Sequence, residues 1–153
     1  MYIMWYNISI KKERRSSIKV KRYEQIQQEV IEKYNITIDE NSKCWSRTHI
    51  HIKTRKICKW KRASSINSTF TLLHEIGHCE NNNSKMRRCE QEYYATVWAI
   101  EEAEKYGLEI PQDIIDKYQR YIYMELDRGI RKGGSGYPTK EEMKLKGEMK
   151  DGL

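Results

Sequence analysis

Residues 74–78 read His-Glu-Ile-Gly-His, and no other run constrains the fold of this 153-residue chain as strongly. On an α-helix, residues four apart share a face with Cβ atoms roughly 6 Å apart, so His74 and His78 can bind one metal ion. Glu75 is rotated off that line, toward a water on the ion. Phe70, Leu72, Leu73 and Ile76 surround the histidines with apolar side chains, which predicts a buried helix. Ser68 or Thr69 suits its N-cap, and Cys79 with the polar run 80–84 suits its end. Buried neutral imidazoles are good zinc ligands. At this composition the pattern arises by accident in roughly 1% of chains, and the accidental version is a helix whose histidines only pack and hydrogen-bond.

A catalytic zinc takes three protein ligands and a water, so a third ligand must come from elsewhere. His49 and His51 lie upstream, and no histidine follows His78. Carboxylates do follow, in a segment from residue 89 to 103 with helix-forming composition. There Glu92, Ala95, Ala99 and Ala103 fall along one face, and the small residues would let this helix lie close against the first. Glu92 is therefore the expected third ligand. Glu90 is about 200° around the helix from it, and Glu101 sits at the far end.

With these residues the chain resembles a short gluzincin, closest in pattern to the ImmA/IrrE-type metallopeptidases. Those families read H-E-x-G-H, a variable loop, then E-x-x-A-[N/D]-x-[F/W]-A on the next helix. The matching residues here are His74, Glu75, Gly77 and His78, then Glu92, Ala95, Trp98 and Ala99. Thr96 stands where the family usually has Asn or Asp, which steadies a zinc-binding histidine from behind, and a threonine hydroxyl could still do so. The resemblance covers about residues 64 to 104. It implies a zincin-like fold in which the edge strand of a sheet borders the substrate cleft.

Residue chemistry leads to the same place. Zn²⁺ on His74, His78 and Glu92 would acidify a bound water toward a pKa of about 7 and polarise a substrate carbonyl. Glu75 would take the water's proton and deliver it to the departing nitrogen. His49, His51 or one of the eleven tyrosines could stabilise the oxyanion.

Around this centre the patterns predict a small α+β domain spanning residues 1–131. A first strand is expected over residues 1–10, an amphipathic helix over 22–35 ended by Asn35, and a period-two stretch over 44–62. Residues 54–56 would turn that stretch into an antiparallel hairpin, to whose edge an extended peptide could pair. His49 and His51 point the same way from their strand, but two ligands alone make a poor zinc site. They are expected to face solvent or line the cleft. Beyond Gly107, Ile110-Pro111 opens a core helix carrying Ile114, Ile115, Tyr118, Ile122 and Leu126. A Gly-rich break follows at 133–138. Thr139 with Glu142 forms a capping box, and residues 132–153 are expected to be a mobile tail or to dock on a partner.

Charge is uneven. Residues 1–62 hold 16 Lys+Arg against 6 Asp+Glu, and residues 63–153 hold 13 against 16, giving +10 and −3 for a net charge of +7. Lys53, Arg55, Lys56, Lys59, Lys61 and Arg62, interleaved with Trp45 and Trp60, could meet phosphates and bases, an acidic protein partner, or solvent alone. The four cysteines lack C-x-x-C spacing and read as reduced thiols. No apolar stretch approaches a membrane span, and the order of apolar and basic residues at 1–15 is the reverse of a signal peptide's. The expectation is a cytoplasmic zinc metallopeptidase acting on a protein substrate, with size and lysine content suggesting a phage or mobile-element protein. The alternative is a regulatory or nucleic-acid-binding protein with a structural zinc, its fourth position closed by a group such as Cys79.

Overall fold

The computed structural model describes residues 22–41, 43, 47–81 and 84–146. The strand expected at 1–10, Trp45 and residues 147–153 lie outside the described residues. The first described helix, α1, covers residues 22–33 and buries Ile26 and Val30, one turn apart, against the core. Its buried Gln27 donates to the Ala63 carbonyl and to Thr69 Oγ1, both at 2.8 Å, tying α1 to the start of the metal-motif helix. Asn35, at φ 52°, reverses the chain in the left-handed region that asparagine tolerates better than most residues.

Three short strands follow: β1 (Thr37–Asp39), β2 (His49–His51) and β3 (Lys56–Cys58). They form a sheet in the order β1-β3-β2. The β2–β3 hairpin is antiparallel as expected, but β1 pairs parallel to β3, so the sheet is mixed rather than purely antiparallel. Thr37–Asp39 is too short for a periodicity to reveal. Ile38, Ile57 and Ile50 are in register across the three strands, and this row packs on the helices. β3 stops at Cys58 instead of running on to residue 61, because Lys59 adopts φ 59° and turns Trp60 into the core.

Helix α2 (Ile66–Glu80) carries the metal motif. Its N-cap is Ser65, whose Oγ accepts from the Ser68 N–H at 3.2 Å, so the helix starts a turn earlier than Ser68 or Thr69 would place it. Phe70, Leu72, Leu73 and Ile76 are fully buried, each contributing about 1.5–3 kcal/mol on leaving water. Helix α3 (Arg88–Lys105) lies against α2, and Glu90 caps it by accepting the Arg87 backbone N–H at 2.8 Å. Gly77 explains how near the helices come. A Cβ there would stand 2.5 Å from the Ala95 carbonyl oxygen.

Helix α4 (Gln112–Arg131) packs on α3 and buries Ile114, Ile115, Ile122 and Leu126. The segment after it does not hang free through residue 146. Met143 and Leu145 are buried in a cluster with Ile115, Ile122 and Leu126. The Gln119 side chain clamps their backbone, donating to the Met143 carbonyl at 2.9 Å and accepting from the Leu145 N–H at 2.6 Å. The Thr139–Glu142 capping box forms with both of its bonds, but it closes a single turn rather than a helix. Two apolar residues at alternate positions were enough to dock a segment whose overall composition looked too polar to pack. Among the described residues, Cys58, Cys79 and Cys89 are free thiols, and no helix is long and apolar enough to cross a membrane.

Candidate metal centre

His74, Glu75 and His78 project from α2, and Glu92 reaches them from the first turns of α3. His74 Nε2 lies 3.1 Å from Glu92 Oε2 and 3.2 Å from His78 Nε2, and His78 Nε2 lies 3.5 Å from the same carboxylate oxygen. Three ligand atoms thus form a nearly equilateral triangle, a buried group that could hold a metal ion. The imidazoles meet edge to face, with centroids 4.8 Å apart. Glu92 and His74 are buried, while the His78 side chain keeps 11% of its surface exposed and marks the open side.

Thr96 settles the tautomer of His74. Its hydroxyl donates to the Glu92 carbonyl at 2.7 Å, one turn back, so toward His74 Nδ1 at 3.2 Å it acts as acceptor. The His74 proton therefore sits on Nδ1, and Nε2 presents its lone pair to the centre of the triangle. The Thr96 hydroxyl thus orients the His74 ring.

The electrostatics favour a cation. Burial lowers the His74 pKa and keeps that ring neutral, with the nearby Glu92 carboxylate opposing only in part. For Glu92, burial acts to raise the pKa, but the close approach of the His74 and His78 imidazoles, at 3.1 and 3.5 Å, outweighs it and holds the carboxyl well below its ordinary range. Arg88, one turn before Glu92, brings Nη2 to 2.6 Å from Oε1 without the alignment of a hydrogen bond, so that oxygen is charge-paired yet has no donor. Glu75 differs from Glu92. Burial, with the nearby Glu92 charge adding to it, raises its pKa to about 8, while the Arg88 charge and then the nearby Ile50 backbone partly oppose that rise. Two carboxyls on one site are thus pushed in opposite directions, one ionised and one poised to hold a proton.

Glu90 and Glu101 stay away from the triangle: Glu90 caps α3 and Glu101 is exposed. His49 and His51 group with Cys58 on the sheet rather than with His74 and His78. Cys79 Sγ lies 3.9 Å from the Ile52 carbonyl and is not among the grouped ligands.

Helix α4 contributes residues that looked like core or surface. The Tyr118 ring tilts over His74 at 4.7 Å between centroids, and burial pushes its hydroxyl up to about 12, so it stays protonated. Tyr121, three residues on, lies beside Arg88. Arg88 could have been found from its i,i+4 spacing to Glu92, whereas nothing local in the sequence ties the two tyrosines to this site. Trp60 is no stacking platform for bases, because its ring is buried and its Nε1 donates to the Ser68 carbonyl at 2.9 Å. Arg55 and Lys56 are also engaged, with Glu80 at 2.7 Å and Asp39 at 3.1 Å.

No family model matches the chain, and no curated protein or solved structure is similar enough to it to count as a match.

Proposed function

We propose that this protein is a zinc-dependent metallopeptidase that hydrolyses peptide bonds in a protein substrate, similar in its site pattern to the ImmA/IrrE type. One observation carries the reading. The triangle edges of 3.1, 3.2 and 3.5 Å bracket the roughly 3.3–3.4 Å separating donors around a tetrahedral Zn²⁺ with bonds of about 2.0–2.1 Å. Two imidazoles and a carboxylate are the donor set of catalytic zinc sites, and the distance of Cys79 from the group weighs against a closed structural site.

When bound, zinc supplies a Lewis acid that polarises a carbonyl and acidifies a water. The chain's own residues do the remaining work. Glu75 accepts a proton from the attacking water and returns it to the leaving nitrogen. Thr96 keeps His74 in the tautomer that offers Nε2 inward, and Arg88 balances the Glu92 charge. Tyr118 walls one side of the centre. Among the described residues β2 is an edge strand, and its Ile50 backbone lies near Glu75, so a substrate strand pairing with that edge would bring its peptide bonds to the general base.

The test is Glu75→Gln with zinc loaded, assayed on a mixed peptide library by mass spectrometry. Wild type should cut, and the variant should bind zinc as wild type does while cutting about 10²-fold slower or less. Cleavage at an unchanged rate would remove Glu75 from the mechanism. If neither protein cuts, the exposed Lys53, Lys59 and Lys61 direct attention to the regulatory reading, for which salt-sensitive binding to nucleic acid is the measurement.

A further inference from the structure

The sheet holds a second set of metal-ligating side chains. In the antiparallel β2–β3 register, His49 stands opposite Cys58 and His51 opposite Lys56. Alternate strand residues share a face, so both imidazoles and the thiol project from one side of the hairpin, away from the isoleucine row. A nitrogen of each ring and the Cys58 sulfur all lie within 4.8 Å of one another. The two rings stand edge to face with centroids 5.0 Å apart at 77°, close to the 4.8 Å and 83° of His74 and His78. His49 Nδ1–H donates to the Arg47 carbonyl at 2.9 Å, the kind of outer hydrogen bond that orients a ligating imidazole. Cys58 is buried, and the left-handed backbone of Lys59 directly after it ends β3 with the thiol still on the histidine side.

We propose that His49, His51 and Cys58 form a second metal site, separate from the His74–His78–Glu92 centre, that takes Zn²⁺ and clamps strand β2 to β3. Imidazole and thiolate are donors that zinc favours, whereas Mg²⁺ and Ca²⁺ take oxygen. On binding, the thiol gives its proton to solvent as the sulfur–zinc bond forms. The consequence is mechanical. A hairpin with three-residue strands has little stability of its own, and its Ile50 backbone is a partner of Glu75, so a cross-strand ion would steady the strand beside the first centre.

Cobalt separates the two sites. The full chain, reduced and stripped with chelator, is titrated with Co²⁺ alone and followed by absorption. Thiolate on Co²⁺ gives an intense near-ultraviolet charge-transfer band, and the His74–His78–Glu92 group contains no sulfur, so a band that depends on Cys58 reports the second site. We expect uptake of two equivalents in wild type, with the band saturating at one. His74→Ala should lose an equivalent but keep the band, and Cys58→Ser should lose the band. His51→Ala, at an exposed position where folding is not at stake, should weaken the Co²⁺ affinity read from the band about tenfold or more. Absence of the band in wild type, or a band unchanged in Cys58→Ser or in His51→Ala, overturns the proposal. None of these readouts depends on peptide cleavage.

Discussion

Replacing Gly77 with alanine tests the contact that brings the ligands together. The added Cβ would meet the Ala95 carbonyl oxygen at 2.5 Å and its Cα at 3.0 Å, where ordinary contact begins at 3.4 Å. Both obstructing atoms are backbone, so no side chain can rotate away, and α2 and α3 must part by roughly 0.9 Å to restore that distance. Glu92 lies one turn before Ala95 on the same helix and moves with it. Metal–ligand bonds tolerate about 0.2 Å, so the carboxylate would be carried out of range. Overpacking of this kind costs about 1–3 kcal/mol, and the better helix propensity of alanine returns at most about 1. Gly77→Ala should therefore lower the stability of the chelator-treated protein by up to about 2 kcal/mol in urea. It should also weaken zinc binding about 10–100-fold in competition with a chromophoric chelator. A variant that binds zinc as tightly as wild type and unfolds at a higher urea midpoint would refute the claim that close helix approach positions Glu92.

Thr96→Val keeps the shape of a fully buried side chain but removes the acceptor for His74 Nδ1–H; zinc affinity should fall about 10–100-fold with little change in helix content, and unchanged affinity would show that the hydroxyl does not orient the ring. For Glu102, burial acts to raise the pKa, but bonds from Lys33 at 2.8 Å, Tyr34 at 2.6 Å and Lys105 at 2.9 Å outweigh it and lower it to about 2. A depressed folded-state pKa adds stability above the unfolded value that is lost as pH falls through about 4 toward 2. Glu102→Gln should thus be about 2–3 kcal/mol less stable than wild type in urea at pH 6 and nearly equal to it near pH 2, and a constant gap at both pH values would contradict the assignment. Leu145→Ala should undock the segment on α4 by about 2 kcal/mol, so that trypsin cuts at Lys140 or Lys144 roughly 30-fold faster, and equal cutting rates would mean that Leu145 does not hold it.

Local pattern was a good guide wherever function and folding use the same helix. The spacing of His74 and His78 with the apolar residues around them sufficed for α2, and the alanine stripe at 95, 99 and 103 sufficed to choose Glu92 over Glu90 and Glu101. It failed where short elements depend on neighbours. β1 has three residues and owes its existence to β3, the α2 cap sits at Ser65, and residues 137–146 pack because two side chains find a groove on α4.

The amino-acid sequence by itself singled out His74, Glu75 and His78 and the helix that carries them, because i to i+4 geometry is a property of the chain alone. Only the tertiary structure decided which distant residues join them: Glu92 and Thr96 beside His74, Tyr118 over the ring, and Cys58 opposite His49. Those meetings depend on helix spacing and strand register, which are set by the packing of elements far apart along the chain and leave no periodic trace within any one of them.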